Sequence, residues 1–396
     1  MSHAALSLMS FISGKRTLRL VLNTAISGRQ IRLRLCNRYS SGAVSVGRAS
    51  IALCDENGVI ADPGSIRPIL FGGREGLTLP PGKKAGREGA AFAVSDETEF
   101  AVPAGANLSL DLYIKRGRLN SGNYQNTARL LCARGSRCGQ PTLRHRKRPR
   151  DLGIAIAAKL LGMTLHSPIP LFQALELYNC DGASSIECFG DSLTQQGFWS
   201  GVFEEKIRRL YPGRYSVISK AIAGNRILRD ASPRMPLRGF FGTKALERVH
   251  EDILAFEGIS HVILCHGTND YLQPGTLAGR KSEYASAEEI AAGVSALAAM
   301  IRTKGVTLIG LNYVPTGLSP DATPEKNDMR RQLNEWFEQC GLFDYTFDVS
   351  SAFASRENPD LPVASYVGAD RVHPSAEGGR AFAQAIDCGV FTPPAC

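Results

Sequence analysis

Three side chains of this 396-residue chain stand where they could act together on an acyl group. Ser192 lies in "ECFGDSLTQQ", residues 187–196, directly after a short apolar pair. A serine hydroxyl is a weak nucleophile unless a base takes its proton and a third group orients that base. His373 in "GADRVHPS" is the candidate base, because Asp370 lies three residues before it and can accept its imidazole N–H. Read separately, the two segments are also compatible with a turn and a loop ion pair.

Acyl transfer also needs hydrogen-bond donors for the negative oxygen that develops on the attacked carbonyl. "AIAGNR" places Gly224 after a strand-like run, where the missing side chain allows a backbone N–H to approach a substrate closely. "CHGTND" places Asn269, a neutral amide donor, after another such run. Each residue also suits an ordinary turn, so only their combination with Ser192 favours a catalytic site.

The elements that must position these residues alternate between strand-like and helical from about residue 183 onward. This alternation predicts a parallel sheet covered by helices on both faces, in which sites lie at the carboxyl ends of the strands. The predicted strands are "SSIECFG", "YSVISKAI", "SHVILCHG", "VTLIGLN" and "YTFDVS". Helices are predicted at 196–210, around Val249, after the capping-box pattern Ser286-x-x-Glu289, and around Leu333.

The first part of the chain has a different pattern. Apolar and polar residues alternate with period two in 17–26, 29–37 and 107–115, which predicts an antiparallel all-β sandwich or jelly roll whose strands have one buried face and one face exposed to solvent. Residues 116–165 fit neither pattern and are expected to be irregular, whereas 170–180 is expected to return as a strand to this domain. We therefore predict an N-terminal β-sandwich domain over 1–180 and a catalytic domain over 181–396.

Composition limits the remaining function classes. Hydrophobic residues make up 43% and charged residues 21% of the chain, as in a globular protein, and no apolar run is long enough for a membrane span. The net charge of +9 is concentrated in the basic loop 134–150, which contains seven Lys or Arg and no acid. Such a loop is usually solvated; binding of an anion or glycan is the alternative, and no nucleic-acid partner is expected.

The ten cysteines form no C-x-x-C and no metal-ligand spacing, which favours reduced thiols in a cytoplasmic protein. The pair Cys132 and Cys138 stays open as a disulfide. The N-terminal segment "MSHAALSLMSFISGKRT" has no basic stretch before its apolar run, so a secretory signal is not indicated, and secretion remains the alternative.

The order Gly-Asp-Ser, Gly-Asn, Gly-x-Asn-Asp and Asp-x-x-His, each after a predicted strand, resembles the SGNH/GDSL serine hydrolase family over about 184–388. The segment "LVLNTAISGRQIRLRLCNRYS" with a later "FGG" is similar to the β domain that precedes the catalytic domain in some bacterial members. The resemblance implies a flavodoxin-like three-layer sandwich with a five-stranded parallel sheet. Thr194 breaks G-x-S-x-G, which argues against an ordinary α/β-hydrolase elbow.

The resemblance also implies the role of each residue. Ser192 would be the nucleophile, His373 the general base and Asp370 its orienting partner. The backbone N–H groups of Ser192 and Gly224 and the side chain of Asn269 would form the oxyanion hole. The supporting residues, which would brace the surrounding loops, are Asp191, Asn225 and Asp270.

The function expected from the resemblance is hydrolysis of a carboxylic ester, as by an esterase, a lipase or an acyl-sugar deacylase, with no cofactor or metal. The substrate would be a small ester or an acylated carbohydrate. One alternative is an acyltransferase that uses the same acyl-serine. The other is an anion- or glycan-binding protein that uses the basic loop.

Overall fold

The computed structural model describes residues 14–38, 42–82, 91–117, 119, 129–143, 171–180, 182–233 and 241–392. The chain divides into two compact units, Met1–Ala183 and Ser184–Cys396. Within the described ranges no helix is both long enough and apolar enough to cross a bilayer.

The described residues of the first unit form two antiparallel sheets. One has the strand order β4-β3-β8-β1-β9 with β5 on β3, and the other has the order β10-β2-β6 with β7 on β2. The strands are β1 (Arg16–Asn23), β2 (Gly28–Cys36), β3 (Val44–Cys54), β4 (Arg67–Ile69), β5 (Leu77–Leu79), β6 (Phe92–Val94), β7 (Thr98–Val102), β8 (Asn107–Arg116), β9 (Arg129–Arg134) and β10 (Phe172–Tyr178). The expected all-β domain is thus present.

The period-two pattern does define the core of this unit. Leu18 and Leu20 of β1 and Leu33 of β2 are fully buried in one apolar cluster. The other face of β1 was expected to be exposed, and this is wrong at Arg19, which is fully buried. Arg19 forms a bidentate ion pair with Asp111 of β8, with nitrogen–oxygen distances of 2.7 and 2.8 Å. A buried guanidinium is tolerated here because its charge and its donors are matched.

The segment after β9 covers this face of the sheet. The Arg19 guanidinium donates to the carbonyl oxygens of Gly58, Gln140 and Pro141, and the N–H of Gly139 donates to Asp111. The bonds to Gly139, Gln140 and Pro141 supply partners for backbone groups of this segment, and the bond to Gly58 goes to the turn after β3. The two charges therefore hold a connecting segment against the sheet.

The expectations for residues 116–180 have different outcomes. Residues 116–165 are not wholly irregular, because β9 pairs with β1 in antiparallel register. The strand expected at 170–180 is confirmed as β10, which pairs with β2. Residues 144–150 of the basic loop lie outside the described residues. No disulfide joins Cys132 to Cys138 in the described part of the chain.

The second unit is built on a five-stranded sheet in which every pairing is parallel, in the order β12-β11-β13-β14-β15. The expected parallel sheet with helices is confirmed. Its strands are β11 (Ser184–Gly190), β12 (Tyr215–Ala221), β13 (Ile259–Cys265), β14 (Thr307–Leu311) and β15 (Tyr345–Phe347). The helices are α1 (Ser192–Gln195), α2 (Ser200–Leu210), α3 (Ala245–Val249), which continues as a π-helical turn (His250–Leu254), α4 (Thr268–Leu272), α5 (Ala287–Arg302), α6 (Pro324–Gln339), α7 (Val349–Phe353) and α8 (Ala376–Gln384).

Local sequence explains where these helices begin. Ser286 caps α5 through the expected capping box with Glu289, in which each side chain accepts from the other residue's backbone N–H. The helix expected at 196–210 begins later, at Ser200. Gly197 has φ +78°, and this left-handed conformation separates the short helix α1 from α2. Two apolar clusters, one containing Phe189 and the other Ile186, pack on the two faces of β11.

Candidate active site

Ser192 is the first residue of α1, immediately after strand β11. Asp191 caps this helix by accepting the N–H of Leu193 at 3.0 Å, so the turn from strand to helix is fixed on both sides of the serine. Gly190 permits the turn, since a Cβ at this position would lie 2.4 Å from the carbonyl oxygen of Cys265. The hydroxyl of Ser192 is only partly buried, whereas its neighbours Asp191 and Leu193 are buried.

The structure brings Ser192, His373 and Asp370 together in a continuous hydrogen-bonded row. His373 Nε2 lies 2.8 Å from Ser192 Oγ, and His373 Nδ1 lies 2.7 Å from Asp370 Oδ2. Because the carboxylate can only accept, the proton of the neutral ring belongs on Nδ1. Nε2 is then free to accept the serine proton, which is the arrangement that activates a hydroxyl nucleophile.

The Asp370–His373 loop is built to hold this row. Asp370 Oδ1 accepts the backbone N–H groups of Val372 and His373, each at 3.0 Å, and Arg371, which follows Asp370, has φ +59°. Burial opposes ionisation of Asp370, but the hydrogen bond and charge of His373 and the two backbone N–H groups hold its pKa well below the ordinary value. The carboxylate therefore stays charged beside the imidazole.

Gly224 lies in the loop after β12 in a conformation that excludes other residues. Its φ is +71°, and a Cβ there would lie 2.0 Å from Cδ1 of Phe241. The next residue, Asn225, fixes the loop, since its Nδ2 donates to the carbonyl oxygens of Phe241 at 2.8 Å and Thr243 at 2.7 Å. The structure thus places Asn225 where it supports the turn that carries the Gly224 N–H.

Asn269 lies in α4, after β13, and its amide contacts two of the other predicted residues. Nδ2 donates to Asp191 Oδ2 at 3.1 Å and to the carbonyl oxygen of Asn225 at 3.0 Å. Both N–H bonds of Asn269 therefore have protein acceptors, which the sequence did not indicate. A substrate oxygen would have to share one of these N–H groups with its present acceptor.

Asp191 and Asp270 are buried carboxyl groups that hold loops in place. Asp270 accepts the backbone N–H groups of Ile227 at 2.7 Å and Leu228 at 3.0 Å, so it holds the chain that follows Asn225. Burial raises the pKa of Asp191 to about 7 and that of Asp270 to about 6, although Asp191 accepts one backbone N–H and Asp270 accepts two, which favours the charged form of each.

Arg248 and His266 were not singled out from the sequence, although both contact the loop of Asn225. The fully buried Arg248 guanidinium donates to Asn225 Oδ1 at 2.7 Å, to Gly190 O at 2.7 Å and to Lys220 O at 2.9 Å. His266 Nε2 lies 3.0 Å from the same Asn225 oxygen, and burial and the charge of Arg248 keep the pKa of His266 well below its ordinary value. An arginine on a helix gives no periodic signal of such a role, so these contacts follow from the fold alone.

Two glutamine side chains were also missed. Gln195 accepts the N–H of Ala223 at 2.9 Å, and Gln273 donates to the carbonyl oxygen of Gly224 at 3.0 Å. Both bonds flank the predicted oxyanion donor of Gly224. Gln195 lies in the segment 187–196 that contains Ser192 but was given no role there, and Gln273 lies outside the motifs named above. Across the described residues, no group of three or more His, Cys, Asp or Glu side chains is placed to hold a metal ion.

Comparison with known proteins relates the second unit to a known family. Residues 188–381 match the GDSL-like Lipase/Acylhydrolase family model. No curated protein sequence matches the chain. Similar solved structures include an acetylxylan esterase from Geobacillus stearothermophilus, with 20% identity over 52% of this chain and 93% of that chain and a TM-score of 0.39.

Two further solved structures align with about the same part of the chain. One is a lipase/acylhydrolase from Enterococcus faecalis, with 16% identity over 51% of this chain and 92% of that chain and a TM-score of 0.37. The other is a GDSL-like lipase from Bacteroides thetaiotaomicron, with 16% identity over 51% of this chain and 85% of that chain and a TM-score of 0.37. By the family match over residues 188–381, the C-terminal half of this chain belongs to the GDSL-like lipase/acylhydrolase family of carboxylic-ester hydrolases.

Proposed function

We propose that the second unit hydrolyses a carboxylic ester through an acyl intermediate on Ser192. The observation that carries the proposal is the row Ser192 Oγ, His373, Asp370, with successive distances of 2.8 and 2.7 Å. A base at hydrogen-bond distance from a partly exposed hydroxyl, itself oriented by a charged carboxylate, is the minimal requirement for nucleophilic catalysis by serine.

In the first half-reaction, Ser192 Oγ attacks the acyl carbon while its proton moves to His373 Nε2. The carbonyl double bond opens and its oxygen becomes negative. The N–H groups of Ser192 and Gly224 and the amide of Asn269 are the proposed donors to this oxygen. When the tetrahedral intermediate collapses, the ester C–O bond breaks and the alcohol leaves with the proton from His373.

In the second half-reaction, water replaces the alcohol. His373 Nε2 takes a proton from water as the water oxygen attacks the acyl carbon, and the second intermediate collapses to release the carboxylic acid. The proton returns to Ser192 Oγ, so the enzyme is regenerated. Asp370 keeps its negative charge throughout and stabilises the imidazolium that forms in each half.

The test is hydrolysis of p-nitrophenyl acetate by the full chain and by Ser192→Ala. We expect the variant to lose turnover by at least about 10³-fold while keeping the wild-type melting temperature. Ser295→Ala on α5 is the matched control, since its hydroxyl bonds to the carbonyl oxygen of Ala291 within its own helix. Turnover retained by Ser192→Ala would contradict the proposal.

The acyl group and the acceptor need separate measurements. A series of p-nitrophenyl esters from acetate to laurate distinguishes a small-ester or acyl-sugar deacylase from a lipase. Product analysis with added alcohols distinguishes hydrolysis from acyl transfer, because a transferase forms a new ester at the expense of the free acid. Both measurements use the same Ser192 intermediate.

A second candidate function concerns the first unit. An open cavity of about 1040 Å³ is lined there by four cationic side chains, and its described lining contains no carboxylate. Tyr113, Ser45 and Thr78 supply an aromatic ring and hydroxyl groups to the same lining. We propose that it binds an anionic glycan, whose acid groups suit the cations and whose sugar rings suit the tyrosine. The four cations are Lys15, Lys115, Arg116 and Arg134.

Glycan binding is tested with immobilised polygalacturonate at 50 and 200 mM salt. Retention is expected to fall as salt rises and to be weakened by Lys115→Gln with Arg134→Gln, whereas Arg356→Gln with Arg371→Gln in the second unit is the charge-matched control. Equal retention of both double variants would contradict the proposal. Stronger retention on duplex DNA than on polygalacturonate would also contradict it.

A further inference from the structure

Gln273 connects the two loops that carry proposed oxyanion donors. It follows α4 directly, and its Nε2 donates to the carbonyl oxygen of Gly224 at 3.0 Å and to Asn269 Oδ1 at 2.9 Å. One side-chain amide thus bonds to the residue that supplies a backbone donor and to the residue that supplies a side-chain donor. The reaction steps proposed above assign no role to Gln273.

These bonds fix the orientation of the Gln273 side-chain amide and, through it, that of the Asn269 side-chain amide. The Gly224 carbonyl can only accept, so Gln273 must present its nitrogen to it. That nitrogen also bonds to Asn269 Oδ1, which leaves Asn269 Nδ2 to face the opposite direction, toward Asn225 O and Asp191 Oδ2. If the Asn269 amide were reversed, its nitrogen would face a donor and its oxygen two acceptors.

Gln195 provides a second attachment on the other side of Gly224. Its Oε1 accepts the N–H of Ala223 at 2.9 Å, and it lies three residues after Ser192 in the helix that begins with the serine. The peptide bearing the Gly224 N–H is therefore flanked by a fixed Ala223 N–H and a fixed Gly224 C=O. One attachment comes from α1 and the other from the end of α4.

We propose that Gln273, together with Gln195, is a positioning residue that holds the Gly224 N–H and the Asn269 amide nitrogen in the orientation in which a substrate oxygen can share them. The proposal rests on the esterase function proposed above. Gly224 has φ +71°, and a glycine reaches other conformations at little cost. Without the two side chains, the loop could rotate the N–H away from the oxyanion while the rest of the fold stayed intact.

The first test replaces Gln273 with Met, which has similar length and no hydrogen-bonding amide. We expect kcat to fall roughly 10–100-fold with KM changed less than about twofold, because misplaced donors weaken transition-state binding more than substrate binding. Gln195→Met is expected to act in the same direction. Gln332→Met, on the exposed side of α6, is the matched control and is expected to leave both constants unchanged.

The second measurement separates positioning from a general loss of structure. An alkyl boronic acid adds to Ser192 Oγ and places a negative oxygen where the oxyanion forms. Its affinity is expected to fall in Gln273→Met by the same factor as kcat/KM, whereas the affinity for the product alcohol stays the same. A purely structural defect would weaken both ligands or lower the melting temperature instead.

Gln273→Glu tests the same bonds in case the methionine variant folds poorly. A charged carboxylate would face the Gly224 carbonyl and Asn269 Oδ1, which are both acceptors, whereas a protonated one could donate to one of them. Relative to wild type at the same pH, we expect its kcat to improve as the pH is lowered.

Three outcomes would overturn the proposal. They are unchanged kcat in Gln273→Met, boronic acid affinity that does not follow kcat/KM, and a Gln273→Glu deficit that is the same at every pH. Turnover retained by Ser192→Ala would instead contradict the esterase proposal itself. Loss of turnover in Ser192→Ala together with full activity in Gln273→Met would contradict only the role of the glutamine.

Discussion

Each of the two units buries a complete arginine side chain, and the two arginines bond to different kinds of partner. In the first unit, Arg19 forms a bidentate pair with Asp111, and its remaining donors go to the backbone carbonyls of Gly58, Gln140 and Pro141. In the second unit, Arg248 bonds to Asp252 at 2.7 Å but also to Gly190 and Asn225, which flank the candidate site. Burial of charge by itself therefore does not distinguish a structural cluster from a functional one.

The difference lies in what surrounds each cluster. The Arg19 pair is closed by the covering segment and lies on an antiparallel sheet. The contacts of Arg248 end at the carboxyl ends of parallel strands, where the partly exposed hydroxyl of Ser192 already has a base. Because strands of a parallel sheet all end at one edge, supports placed there act on several loops at once. Four predictions test this contrast.

The largest expected effect comes from comparing two aspartates. Asp370→Asn should lower kcat by roughly 10³–10⁴-fold, because an amide can donate to the imidazole and favour the wrong tautomer. Asp111→Asn should leave kcat unchanged and lower the free energy of unfolding of the first unit. Ester kinetics and urea unfolding on both variants give the comparison, and equal kinetic losses would remove the distinction between the two units.

The second comparison replaces each buried arginine with Met. Both variants should lose about 3–5 kcal/mol of unfolding free energy, since each leaves a carboxylate without its partner. Only Arg248→Met should also lower kcat, because Gly190 and Asn225 lose their contacts with it. Kinetics measured well below the melting temperature of each variant separate the two effects. An equal loss of kcat in Arg19→Met would show that the first cluster also supports the reaction.

Glu187 allows the effect of a buried charge near the candidate site to be tested through pH. It is buried in β11, the strand that ends just before Ser192. Burial raises its pKa to about 7, against the attraction of Lys220 and the hydrogen bond of Ser185, while Asp252 adds to the rise. The folded chain therefore keeps a proton that the unfolded chain releases near pH 4.3. The contribution of Glu187 to the unfolding free energy of the wild type is fully present below that pH and is lost as the pH rises through about 7.

The measurement is the unfolding free energy of wild type and Glu187→Gln at pH 5 and pH 8. Glutamine does not titrate, so the unfolding free energy of the variant should rise relative to that of wild type as the pH rises, by up to about 3 kcal/mol. The Ser185 hydroxyl can still donate to the glutamine oxygen, which preserves the local contact. A difference that stays constant with pH would show that Glu187 is charged over the whole range.

The smallest effect should come from Ser286→Ala, which removes the N-cap of α5. We expect about 1 kcal/mol less unfolding free energy for the second unit and kcat/KM within twofold of wild type. The result measures how activity responds when this unit is destabilised away from Asn225 and Ser192. A drop in kcat comparable to that of Arg248→Met would assign the arginine effect to stability alone.

Sequence patterns predicted the framework of both units for identifiable reasons. Alternation in β1 and β2 and buried runs in β11 and β13 each follow from which faces of a strand meet the core. They did not predict β9 or the start of α2 at Ser200, because strand pairing and the left-handed Gly197 override local pattern. The burial of Arg19 was also missed, since a charged residue reads as exposed until its partner across the sheet is known.

For the candidate site, the sequence by itself determined which side chains are chemically able to act and that each follows a strand. Ser192, Gly224, Asn269 and His373 carry groups that acyl transfer requires, and their positions after predicted strands follow from local pattern. Only the tertiary structure decided that Ser192 Oγ lies 2.8 Å from His373, 181 residues later in the chain. It alone also showed that Gln273 joins the loops of the proposed donors, because hydrogen bonds between distant segments depend on packing and leave no periodic signal.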